Sequence, residues 1–137
     1  MLRPSQIAIL TLVGLAFWAA ATVSIRWSAY GLLDPTRGAL MFATALPVGW
    51  LSVRATRSAA RLAREQLAAG VLLAGAVAML VDGAALRWAP QVYGDTEQLV
   101  RLGAAWLLWG YGVSLVLALI MSRAPAAATP PPAGSAP

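Results

Sequence analysis

Four apolar stretches of helix length follow one another along the chain, at residues 6–25, 35–53, 67–86 and 99–121, with short polar connections between them. Each is long enough to cross a hydrocarbon core of roughly 30 Å at about 1.5 Å of rise per residue. None alternates with the period of two that marks barrel strands. Helices are the economical way to cross, because lipid cannot satisfy backbone N–H and C=O groups. The predicted fold is all-α: a polytopic membrane protein with four transmembrane helices in two hairpins, forming one domain over residues 1–123.

Local signals sharpen the boundaries. Asp34 is placed to N-cap the second helix, with Pro35 at its first position, where a missing N–H costs nothing. Pro47 lies inside the same span and removes the hydrogen bond to the carbonyl of Ala43, which predicts a kink. The first stretch begins like a signal peptide, with Arg3 and a small-residue run at 19–21. Its apolar character continues to Ile25, so it is read as a retained span. From Ala124 the chain is Ala/Pro-rich to its end, and 124–137 is expected to be a disordered cytoplasmic tail.

Charge sets the orientation. All ten basic residues are arginines, and the connection between the second and third spans holds Arg54, Arg57, Arg61 and Arg64 against a single Glu65. The positive-inside rule makes that connection cytoplasmic and, with four spans, puts both termini on the same side. Arg3 and Arg123 agree. The 3-4-3 spacing of the four arginines puts them on one face of a helical connector, a candidate contact for anionic lipid headgroups. The net charge of +5 therefore serves topology, and no nucleic-acid partner is expected.

Composition mostly removes chemistry. Hydrophobic residues make up 60% of the chain, charged residues 11%, and the mean hydropathy is +0.72. Without cysteine there is no disulfide or thiolate site, and without histidine the commonest general base and metal ligand are missing. No cofactor, metal or catalytic residue is expected, and the chain is read as a non-enzyme.

The small residues have a pattern. Gly70, Ala74, Ala78 and Asp82 recur every fourth residue on the third span, as do Gly110, Ser114 and Ala118 on the fourth and Ala16, Ala20 and Ser24 on the first. Such ridges let helices approach closely in lipid, which predicts a tight bundle, a homo-oligomer or docking into a larger membrane complex. Asp82 ends its ridge about 7.5 Å of helix rise below Arg87. A carboxylate there costs roughly 2.5–3.5 kcal/mol by insertion scales, so it should face protein or water. Arg26 and Arg101, at similar depth, are its candidate partners in a buried ion pair. The alternative is a proton- or cation-coupled site. Trp27, Tyr30, Trp88 and Tyr93 suit one interfacial belt and Trp50 the other, whereas Trp18, Trp106, Trp109 and Tyr111 lie deeper and need polar partners.

The chain also echoes itself. Arg26-Trp27-Ser28-Ala29-Tyr30-Gly31, then Asp34 and Thr36, is matched by Arg87-Trp88-Ala89, then Tyr93-Gly94-Asp95-Thr96. A duplicated hairpin would relate the halves by an axis along the membrane normal.

Three segments carry a family likeness: Gly14-Leu15-Ala16-Phe17-Trp18 leading to Arg26, the Asp late in the third span, and 105–112, Ala-Trp-Leu-Leu-Trp-Gly-Tyr-Gly. With these the chain resembles a small bacterial family of four-span membrane proteins, domain of unknown function 5367. The resemblance implies an inner-membrane, multi-pass protein and transfers no activity. Two functions remain as expectations: an accessory subunit packing through Gly/Ala ridges, or a small homo-oligomeric transporter or channel with Asp82 on its path.

Overall fold

The computed structural model describes residues 1–123, which form four α-helices: α1, Pro4–Ser28; α2, Pro35–Ala59; α3, Arg64–Trp88; and α4, Glu97–Arg123. Short 3-10 turns at Ala29–Leu33 and Pro90–Val92 lead through the first and third connections, and no strand occurs among the described residues. All four helices are long and apolar enough to cross a membrane. The stretch expected to be disordered, 124–137, lies outside the described residues.

The capping chemistry explains where the helices start. Asp34 accepts a 2.8 Å bond from the Arg37 N–H, with Pro35 in the first turn, as its position predicts. α1 and α3 begin by a shared device that the sequence reading missed. Gln6 and Gln66 each reach back to a backbone N–H three residues earlier, of Arg3 and Ala63. The two amides also meet: Gln6 Nε2 lies 3.3 Å from Gln66 Oε1 and donates to the Ala60 carbonyl at 3.1 Å, while Gln66 Nε2 donates to the Met1 carbonyl at 2.8 Å. Buried Gln6 thus ties the start of α1 to the α2–α3 turn. Gln6→Leu strands the Ala60 carbonyl and is expected to cost about 1–3 kcal/mol, read as a lower midpoint in denaturant titration of detergent-solubilised protein. An unchanged midpoint would mean that the network adds no stability.

That turn corrects the expected arginine face. α2 does not run on as a connector but stops at Ala59, and the Arg61 N–H and Leu62 N–H return to the carbonyls of Ser58 and Arg57. This is the Schellman pattern, and it needs a left-handed residue, which is Arg61 at φ 47°. Leu62 is thereby turned inward, against the place where a Cβ on Gly70 would sit. Arg54 and Arg57 remain on α2, Arg61 occupies the turn, and Arg64 opens α3. The four share one end of the bundle but not one helical face. Arg54 lies over the Trp50 ring, 4.8 Å from its centre.

Close approaches at glycine set the packing. α1 lies along α3, α3 along α4, and α4 along α2. A Cβ on Gly14 would run into the Ala74 carbonyl, so α1 and α3 touch backbone to backbone there. A Cβ on Gly49 would come within 3.1 Å of Val113 and 3.2 Å of the Ser114 hydroxyl, bringing α2 onto α4. Gly70, Ala74, Ala78 and Ala118 are buried within this bundle. Gly110 borders a cavity between the helices. The α3 and α4 ridges therefore face inward. The proposed α1 ridge does not pack: Ala16, Ala20 and Ser24 are exposed, and α1 uses Leu10, Gly14 and Ile25 instead.

The expectation of two packed hairpins is corrected as well. α3 and α4 pack closely, but α1 and α2 touch only sparingly. An axis along the membrane normal would make those two contacts equivalent, so the halves are not related in that way. Pro47 lies within an unbroken α2. In the turn before it, Trp106 and Trp109 of α4 donate to the carbonyls of Met41 and Phe42, both at 3.0 Å, bracing α2 where its own ladder is interrupted.

Candidate functional site

Asp82 is only 4% exposed, although it sits in the last two turns of α3. It is not paired with arginine. Arg26 instead reaches Asp95 at 2.7 Å, with both side chains about half exposed (43% and 55%). Arg101 makes no salt bridge among the described residues and is exposed. The expected cluster of Asp82, Arg26 and Arg101 is therefore corrected. The physical reason is the length of the α3–α4 connection, which carries Asp95 over the end of α1 and gives Arg26 a solvated partner.

Two tyrosines hold Asp82. The Tyr93 hydroxyl donates to Oδ1 and the Tyr111 hydroxyl to Oδ2. Tyr111 comes from α4. Tyr93 comes from the connection just after Pro90–Val92 and is completely buried, not at the interface where its sequence position put it. Its neighbours in the proposed belt, Trp27, Tyr30 and Trp88, are exposed as expected. Tyr93 thus breaks the internal echo, because its counterpart Tyr30 points outward. Gly94 makes the inward turn possible, since a Cβ there would meet the Leu99 side chain at 2.7 Å.

α1 completes the cluster. The Trp18 indole donates to the Tyr93 oxygen at 3.2 Å. Thr22, one turn further, faces the same hydroxyl. Its Oγ1 is buried and has no hydrogen-bond partner among the described residues. Burial, and secondarily the Asp82 carboxylate, push the Tyr93 hydroxyl from its ordinary 10.0 up to about 12, so it remains a donor at neutral pH. The Trp18 N–H and the Tyr93 O–H run along one path, from Trp18 to Tyr93 to Asp82, with the Tyr111 O–H closing from the other side. Two hydroxyl donors thus converge on one carboxyl group from different elements. Each charge-assisted bond contributes about 1.5–3 kcal/mol, which offsets the cost of burying the carboxylate.

Beyond Tyr111 lies a cavity of about 200 Å³ among all four helices. Phe17, Trp106, Leu107 and small residues such as Ala78 and Gly110 line it. Tyr111 is a shared wall: its ring borders the cavity and its hydroxyl holds Asp82. No group of histidine, cysteine, aspartate or glutamate that could hold a metal occurs among the described residues.

The sequence reading found Asp82 and the demand of Tyr111 and Trp18 for polar partners, and it missed Tyr93, and Thr22 beside Trp18. Their one sequence signal is the i, i+4 spacing of Trp18 and Thr22, which puts an N–H and a hydroxyl on one helical face at the depth of Asp82. No family model, curated protein or solved structure matches the chain. The roles of these residues are therefore argued from their geometry alone.

Proposed function

We propose that this chain is a multi-pass protein of the bacterial inner membrane, with both termini cytoplasmic, that works as a small proton-coupled transporter built around Asp82. The observation that carries the reading is a buried carboxylate with no cationic partner, held only by hydroxyls. An arginine would lock the charge in place. Tyrosine hydroxyls can serve either protonation state, because each is donor and acceptor.

Thr22 supplies the second state. When a proton arrives on Oδ1 of Asp82, the new O–H donates to the Tyr93 oxygen. The Tyr93 O–H must then turn elsewhere, and the buried Thr22 Oγ1, which faces it, would be its acceptor. Tyr111 keeps its bond to Oδ2. Asp82, Tyr93 and Tyr111 then keep their bonds with charge −1 and with charge 0, Thr22 being engaged in the second state only, and release of the proton reverses the sequence. Tyr93 and Tyr111 are the titratable groups that face Asp82, from the α3–α4 connection and from α4; α1 presents only Trp18 and Thr22.

The alternative is an accessory subunit: the α3 and α4 ridges face into this bundle, and the ridge left free to meet a partner is Ala16, Ala20 and Ser24 of α1. Infrared difference spectroscopy on reconstituted protein tests the proposal. A protonated-carboxyl band should grow as pH falls, and the component that belongs to Asp82 should be missing from the spectrum of Asp82→Asn. Thr22→Val, which removes the second-state acceptor, should weaken that band at any given pH, and Thr22→Ser should keep it. Vesicles under a pH gradient should lose proton flux in Asp82→Asn. A carboxyl spectrum unchanged by Asp82→Asn, or a flux indifferent to Asp82, would overturn the reading.

A further inference from the structure

The sparse contact between α1 and α2 leaves the central cavity open on one side. Its floor is formed by buried residues of three helices, Val53, Ala74, Ala78 and Leu107 among them, whereas Ala20 and Ser24 of α1 and Val48 of α2 are exposed at its mouth. The mouth lies near the middle of α2 and in the second half of α1. In a bilayer that height is hydrocarbon. The opening therefore faces lipid tails and not water.

Its chemistry matches. No Asp, Glu or Arg lines the cavity. The hydroxyls of Ser24, Ser52 and Thr56 donate back to carbonyls of their own helices, at 2.7, 2.8 and 2.8 Å, so those three offer an incoming molecule no unused donor. The space of about 200 Å³ exceeds the roughly 150 Å³ engineered apolar cavity that takes up benzene. A helix of a second copy, about 10–12 Å across, is far bulkier than this space.

We infer that the cleft is a binding site for a single apolar chain, an acyl or isoprenoid tail that enters sideways from the bilayer between α1 and α2. Once seated, the chain lies against Tyr111, the residue that holds Asp82 on its other side. This names the substrate class for the proton-coupled site: an apolar-tailed molecule whose occupancy is sensed through Tyr111. It rests on that reading for its purpose, but its test involves no proton movement.

The experiment uses the full chain in nanodiscs of phosphatidylethanolamine, with a tracer phospholipid carrying a diazirine in mid-chain. Light should attach the tracer at cleft residues of α1 and α4 in one-to-one stoichiometry. Gly110→Leu fills the cavity without a clash, since no atom lies within 4 Å of the added Cβ, and should cut this labelling about tenfold or more. Gly112→Leu is the matched control, equally open but outside the cavity lining, and should leave labelling unchanged. Ala20→Leu at the mouth is a second blocking variant, expected to act like Gly110→Leu. Labelling spread evenly over the outer faces, or unaltered by both blocking variants, would overturn the inference. So would a chain-to-chain cross-link through the cleft, which would make a second copy the occupant. A protein that passes the Asp82 proton test and fails here would be a proton-coupled protein with some other substrate.

Discussion

Removal of both hydroxyls, in a Tyr93→Phe/Tyr111→Phe variant, should cost the bundle about 3–6 kcal/mol at neutral pH and much less in acid. Each phenyl ring keeps the packing of the tyrosine it replaces and removes one donor to Asp82. An ionised carboxylate stripped of donors in a buried site is a large penalty, and protonation relieves it. The sign is therefore specific: the variant gains stability relative to the parent as pH falls. Each single variant should show a smaller loss in the same direction, and the two losses should not simply add, because the hydroxyls share one acceptor. Denaturant titrations at neutral and acid pH measure the effect. Asp82→Asn introduced into the double variant should recover stability at neutral pH. A loss of equal size at both pH values would mean that the tyrosines act by shape alone, and the charged cluster would have to be abandoned.

Gly14→Val should be the most damaging single change on α1, at about 3 kcal/mol or more. The added Cβ would run into the Ala74 carbonyl, with the Val77 Cβ 3.0 Å away, and a backbone carbonyl in mid-helix cannot step aside as a flexible side chain can. To relieve the clash, α1 must lift off α3 along the seam that also places Trp18 and Thr22 beside Tyr93. The variant should therefore lose thermal stability and, in whatever fraction folds, the pH response of Asp82. Gly112→Val is the control, with nothing within 4 Å of the added atom. Equal melting of the two variants would show that α1 and α3 do not make this contact.

The two predictions depend on different levels of information. Gly14 is an ordinary glycine in a span that contains several small residues, and the most regular small-residue series on α1 was the wrong one. Ala16, Ala20 and Ser24 have the spacing of a packing ridge yet are exposed, because the approach of α3 is set by Ala74 and Val77 meeting Gly14 on another face. Spacing along one helix cannot say which face its neighbour will choose. The arginines teach the same lesson for loops. Their 3-4-3 pattern suits a helix, but Arg61 adopts a left-handed conformation that ends it, favoured by burial of Leu62 over Gly70.

Asp82 marks the boundary most clearly. Its place in an apolar run was enough to predict that it would be buried and need a partner, because an unpartnered carboxylate in hydrocarbon is costly. Nothing along the chain could choose the partner. Arg26 and Arg101 lie at similar expected depth and carry the opposite charge, yet Arg26 is taken by Asp95 at the solvated end of the bundle and Arg101 is exposed. Tyr93 looked like an interfacial residue until the turn at Gly94 carried it inside.

Four helices, their length and apolarity, the cap at Asp34 and one acidic group among apolar neighbours are all legible along the chain. These follow from local composition, hydrogen-bond geometry and the cost of burying charge, all of which act over a few residues. The packing of α1 mainly on α3, the closure of Tyr93 and Tyr111 on Asp82 with Thr22 behind Tyr93, and the open cleft between α1 and α2 are not legible there. Those outcomes depend on which surfaces meet across the bundle, and close approach at single glycines decides that over distances no sequence period encodes.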